Sequence, residues 1–176
     1  MPCGAPEMPS LRPEFTSKKL HERMKGYLPD LLGVEVVSIT PGKAKCRLTI
    51  RREFMAPHGF LHAASVTGLA DTTCGVATLV HLPQGADSYA TIELKLNLLG
   101  TVKRGSIACE AQLKHAGHTT QVWDSVVTDE ETGRSIALFR CTQMILWPRS
   151  RSDLVHSSLT DALEASGALR KEPRKK

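Results

Sequence analysis

From Phe60 to His81 the chain repeats at three and four residues, with Val66, Leu69, Thr73, Val76 and Val80 on one stripe, while the segments on either side alternate at a period of two. One long helix set among short strands restricts the fold sharply, because the helix can bury its apolar face only against a sheet. A second stripe of the same helix, Ala64, Gly68, Asp71, Gly75 and Thr78, is made almost wholly of small residues. Glycine inside a helix costs roughly 1 kcal/mol against alanine, so two on one face imply close approach of a sheet or a partner helix. Asp71 is the single charge on this surface. A carboxylate there is costly to desolvate unless it is paired, hydrated or chemically engaged.

The flanking pattern completes the fold class. Met1 to Pro13 holds four prolines and a glycine and reads as a loose leader. Glu14 to Leu28 places Phe15, Leu20, Met24 and Leu28 at helical spacing, and Pro29 with Gly33 closes that segment. Val34 to Ile39 and Ala44 to Ile50 flank Pro41-Gly42 as an antiparallel hairpin. After Pro83-Gln84-Gly85, four strands are expected, with Ala90, Ile92, Leu94, Leu96 and Leu98 forming one apolar face of the first. The others span Ser106 to Lys114, Gln121 to Thr128 and Arg134 to Leu146. The expectation is an α+β domain with an antiparallel sheet wrapped around one helix. Its parts are a leader with a helix at 1–29, the main domain at 30–148 and a basic tail at 149–176, with room for a short helix at 154–169.

Composition narrows the function. The chain of 176 residues suits one domain. Aromatic residues make up 5%, too few for a base-stacking surface, and three of the five net positive charges lie between Arg149 and Lys176, so no nucleic-acid partner is expected. Cys3, Cys46, Cys74, Cys109 and Cys141 are scattered, odd in number and without a CxxC pair, which reads as reduced thiols in a cytoplasmic protein. The N-terminus lacks a basic region followed by an apolar run, and no stretch of 18 uncharged apolar residues occurs, so neither signal peptide nor membrane span is expected.

Three site hypotheses follow from residue type and spacing. His58, His62 and Asp71 include a His-x3-His spacing, but Pro57 and Gly59 flank His58 and keep the two histidines off one helix, so no metal is expected. Cys74 on the helix reads as core rather than nucleophile. Asp71 is the candidate base or nucleophile. Nine residues separate it from His62, about 13.5 Å along a helix and on nearly opposite faces, so the two cannot meet within one chain. A symmetric dimer solves this if the helix N-terminus of one subunit, with the His62 and Ala63 amides, faces Asp71 of the other.

The order Gly59-Phe60-Leu61-His62-Ala63-Ala64 followed by Leu69-Ala70-Asp71, with the strand Thr91-Ile92-Glu93-Leu94-Lys95-Leu96-Asn97, resembles the hotdog-fold acyl-CoA thioesterases of the phenylacetate-pathway type. The likeness runs from about Gly33 to Leu146. It implies that Asp71 activates water or attacks the thioester, that Thr91 orients the water, and that His62 and the Ala63 amide of the other subunit hold the thioester oxygen. It also implies an acyl-CoA substrate of medium, long or aromatic acyl group, no cofactor, and a homodimer or homotetramer. Lys103 and Arg104 are candidates for the phosphorylated end of CoA, and Gly59 and His58 for substrate binding. Many members carry Asn or Gln six residues before the motif histidine, where this chain has Ala56; His58 lies near enough to supply that hydrogen bond. The usual Gly-Gly after the histidine is Ala63-Ala64 here. A protein of the same fold that binds acyl-CoA without cleaving it is the alternative, and Ala56 is the residue that favours it.

Overall fold

Helix formation begins at Thr16, whose hydroxyl accepts from the Lys19 N–H (3.3 Å) and starts α1 (Ser17–Met24). The single helix expected across 14–28 is two. Gly26 takes a left-handed φ of 81°, its N–H is held by the Asp30 carboxylate (2.8 Å), and α2 (Leu28–Leu32) starts beyond it. Pro29 therefore opens a helix rather than closing one, because a first-turn residue has no intrahelical N–H bond to lose. Gly33, also left-handed, ends α2. A boundary at residue 29 would fall inside this helix. Within the described part of the expected leader, Arg12 donates to the carbonyls of Leu82, Pro83 and Ala86 at 2.6 to 3.2 Å.

The structure, a computed structural model, describes residues 10–148, so Cys3 and the tail from 149 lie outside the described residues. The first of its two units ends at Leu146. Within it β1 (Glu35–Thr40) and β2 (Lys43–Thr49) form the expected hairpin, and α3 (Ala63–Val80) follows. Then come β3 (Ser88–Leu98), β4 (Ser106–Ala116), β5 (Thr120–Asp129) and β6 (Ser135–Leu146). All neighbours pair antiparallel in one six-stranded sheet of order β1-β2-β4-β5-β6-β3.

α3 lies across this sheet. Its large stripe is buried with Leu48, Ile107, Trp123, Ile136 and Phe139. The helix has the length and hydropathy of a membrane span, but here it is the core helix of the sheet. The small stripe has two causes. A Cβ on Gly68 would stand 2.7 Å from Leu32 of α2, and one on Gly75 would collide with the Tyr89 hydroxyl of β3. The C-terminal end of α3 is fixed by His81, whose Nδ1–H donates to the Ala77 carbonyl (2.7 Å) and whose Nε2 accepts from the Gly42 N–H in the β1–β2 turn (2.8 Å).

β3 departs from the single apolar face expected over Ala90 to Leu98. It is the sheet edge, has a register shift between Thr91 and Glu93, and leaves Ile92 55% and Leu94 45% exposed.

Candidate active site

Asp71 stands at mid-length of α3, half-buried and flanked by Gly68 and Gly75 on its own face. Thr91, on the edge strand, donates from Oγ1 to Asp71 Oδ1 at 3.2 Å. Burial raises the Asp71 carboxyl above the usual carboxylate value, and the Thr91 hydrogen bond partly opposes the rise. Both residues line a cavity of about 330 Å³ between α1–α2 and α3–β3, whose walls include Leu20, Met24, Tyr27, Val76 and Tyr89.

The other sequence-derived candidates gather at the N-terminus of α3. His62 is its N-cap: Nδ1 accepts from the Ala64 N–H (3.0 Å), which places the ring proton on Nε2 and leaves that N–H as an outward donor. The Ser65 and Val66 amides turn back to the His62 carbonyl, so the Ala63 N–H is the first-turn donor left without an acceptor among the described residues. Gly59, left-handed at φ 82°, closes a tight turn in which its N–H donates to the Ala56 carbonyl and the Ala56 N–H to the Phe60 carbonyl. That turn stacks His58 against Phe60 with ring centroids 5.3 Å apart, and Lys103 Nζ lies 5.5 Å from the Phe60 ring. Ala56, His58, Phe60, His62, Ala63 and Thr101 line a separate cavity of about 320 Å³.

The structure thus joins Asp71 to Thr91 and places His58, Gly59, His62, Ala63 and Lys103 around another opening of the same chain. Arg104 is exposed on the β3–β4 connection. Cys74 is fully buried, and hydrogen bonding to Cys141 together with burial pushes its thiol well up, as expected of core rather than nucleophile. Three residues near Asp71 escaped the sequence reading. Tyr89 shares the face of Thr91 two residues away, a signal that period-two alternation carries, and burial raises its hydroxyl to about 12. Arg23 reaches the cavity mouth from α1, which no local pattern announces. Gln143 on β6 interrupts the inward-facing run Phe139, Cys141, Ile145 and is wholly buried.

A six-stranded antiparallel sheet laid over one long helix, with an acidic residue in mid-helix tied to the edge strand, defines a hotdog-fold protein. The profile of the thioesterase superfamily matches residues 58–136. A curated relative, the 1,4-dihydroxy-2-naphthoyl-CoA hydrolase of Listeria monocytogenes, is 29% identical over 115 residues, 65% of this chain and 92% of the relative. Among solved structures, a mutant of thioesterase PA1618 from Pseudomonas aeruginosa superposes with a TM-score of 0.73 at 22% identity, covering 77% of this chain and 97% of that one. The E. coli PaaI protein of the phenylacetic acid degradation operon does so at 0.65 and 23%, covering 74% and 95%. The chain thus has the hotdog fold and is similar, over residues 58–136, to the thioesterase superfamily.

Proposed function

We propose that the protein hydrolyses a medium-chain, long-chain or aromatic acyl-CoA to the free acid and CoA, at a site completed by two subunits of a cytoplasmic homodimer or homotetramer. The observation that carries this reading is the Thr91–Asp71 hydrogen bond at the edge of an apolar cavity. Thr91 turns one carboxylate oxygen toward itself and leaves the other for a water molecule or for the thioester carbonyl carbon. As a base, Asp71 takes a proton from the attacking water; as a nucleophile, it forms a mixed anhydride, expels CoA as thiolate and is released by water. Both routes need the ionised carboxylate.

The second half of the site is the partner's α3 N-terminus. Its Ala63 N–H lacks an internal acceptor and its His62 Nε2–H points outward, so the pair supplies two donors for the oxygen that becomes negative as the thioester is attacked. Edge strand β3 carries Thr91 and an uncovered apolar face, which suits it to be the seam that brings this N-terminus to Asp71. Apolar walls with Tyr27 and Tyr89 favour the acyl group for the cavity at Asp71, while Lys103 and Arg104 serve the phosphates of CoA. The four described cysteines are free thiols, including Cys46 and Cys109, which face each other across β2 and β4; this supports a reducing compartment.

The test is thiol release from a panel of short, medium, long and aromatic acyl-CoAs. Native protein is expected to turn over at least one class, and Asp71→Asn to lose about 100-fold or more in kcat with the fold intact. Binding without turnover across the whole panel would instead favour an acyl-CoA-binding protein, in which Ala56, apolar and buried beside His62, has removed a needed hydrogen bond.

A further inference from the structure

We propose that Gln143 is a positioning residue for the hydrolytic site, the member of a buried donor chain that commits the Thr91 proton to Asp71. This rests on the reading of Asp71 as the reactive carboxylate.

In the structure Thr91 Oγ1 faces two acceptors, Gln143 Oε1 at 3.0 Å and Asp71 Oδ1 at 3.2 Å. A hydroxyl has one proton, so it cannot donate to both. With the Gln143 carbonyl facing Thr91, the two acceptors compete for that proton and Asp71 holds its partner only part of the time; the oxygen and nitrogen ends of an amide have the same shape and can be exchanged. With the amide turned so that its NH2 faces Thr91, every group in the row finds a partner. Gln143 donates to Thr91, and Thr91 donates to Asp71.

The far end of the amide fits the same direction. Nε2 lies 3.3 Å from Cys141 Sγ, the position the carbonyl takes when the amide is turned over, and Cys141 is in turn hydrogen-bonded to Cys74. Cys74 S–H donates to Cys141, which frees the Cys141 S–H to donate to the Gln143 carbonyl. The row Cys74, Cys141, Gln143, Thr91, Asp71 then runs from the middle of the core to the cavity with all donors pointing one way. Cys74, Cys141 and Gln143 are each fully buried, where water cannot substitute for a lost partner. Gln143 is also wedged between the inward-facing Cys141 and Ile145 on β6, so its amide has little room to leave Thr91. A polar residue at this inward position is costly in an apolar layer unless it is satisfied, and the row satisfies it.

Removing the Gln143 donor frees the Thr91 hydroxyl to turn away, and the half-buried Asp71 carboxylate loses its best hydrogen bond. The proton on Asp71 is then harder to remove. The experiment is the pH profile of kcat/KM for wild type, Gln143→Met and Gln143→Asn, with Thr91→Val and the double variant Gln143→Met/Thr91→Val. Gln143→Asn keeps an amide in the core but withdraws it by one methylene, so it tests the same contact with less risk to folding. Gln121→Met is the control: Gln121 is an equally buried glutamine on β5, bonded to the His81 carbonyl and Trp123 and not to Thr91 or Asp71.

In both Gln143 variants the acid limb is expected to move up by about one pH unit, a roughly tenfold loss at pH values below the limb. Gln121→Met leaves the limb in place, and the double variant is no worse than Thr91→Val alone. A limb that stays put in both Gln143 variants, or losses that simply multiply in the double variant, overturns the assignment and leaves Gln143 as core packing. If Asp71→Asn retained full turnover, the hydrolytic reading itself would fall. If Asp71→Asn is inactive while the Gln143 variants keep the wild-type limb, only the role of Gln143 falls.

Discussion

At the scale of single residues, Asp71 carries a conflict between stability and chemistry. Burial holds its carboxyl above the ordinary value of 3.8, so the native state binds this proton more tightly than the unfolded chain does. Native stability therefore falls as pH rises between the unfolded and folded pKa values, and above both the full cost of the half-buried charge persists. Asp71→Asn removes that cost. The variant is expected to gain about 0.5–2 kcal/mol at pH 7 while losing turnover, with the gain disappearing below the ordinary carboxylate range. Chemical denaturation at pH 7 and at pH 3.5 measures it, and no gain at pH 7 would show that the carboxylate is fully compensated in place. The position of Asp71 was legible because a lone charge among small helical residues is a local pattern. Gln143 was less so, since whether an inward polar residue is an error, a network or a surface position depends on what the facing strand and helix bring to it.

At the scale of elements, α3 is defined by its two histidine ends. His62 caps the start and fixes its own tautomer; His81 ties the last turn to the β1–β2 hairpin as a neutral ring that both donates and accepts. Burial lowers the His81 pKa below its ordinary 6.5, with the Ala77 carbonyl opposing. The stability this provides is fully present above pH 6.5 and is lost as pH falls toward the folded value, because a protonated Nε2 can no longer accept from Gly42. The urea midpoint is expected to drop between pH 7 and pH 5, and His81→Gln to flatten that drop; an unchanged slope in the variant would assign acid lability elsewhere. Periodicity announced α3 and the six strands nearly to their ends. It misjudged the N-terminal helices because Pro29 and Gly26 are punctuation marks, and whether a proline starts a helix or stops one depends on the backbone beyond it.

At the scale of the whole molecule, two groups of candidate residues lie along the same helix, one at its middle and one at its N-terminus. Asp71 and Thr91 open on one cavity, His62 and Ala63 on another, and β3 lies at the sheet edge with Ile92, Leu94 and Leu98 uncovered. If subunits share each site, Asp71→Asn and His62→Ala disable complementary halves. Refolding the two inactive variants together should restore about a quarter of the wild-type activity, since half of the dimers are mixed and each mixed dimer has one intact site. Activity no higher than the sum of the two variants would place both halves in one chain. Replacing Leu94 by glutamate on the exposed edge provides a parallel check, with loss of the dimer and of turnover expected together in sedimentation and thiol-release assays.

What the sequence determined by itself was local and periodic: the long helix, the alternating strands, the punctuating turns and the isolated carboxylate. Each depends on residues within a few positions of one another, where backbone sterics and side-chain spacing act directly. Tertiary structure alone decided which strand became the edge, that Tyr89 needs the gap at Gly75, that Arg12 and His81 pin loops 70 and 39 residues away, and that Gln143 meets Thr91 across β6 and β3. Those contacts depend on strand order and register, which are set by how the whole apolar surface is buried at once.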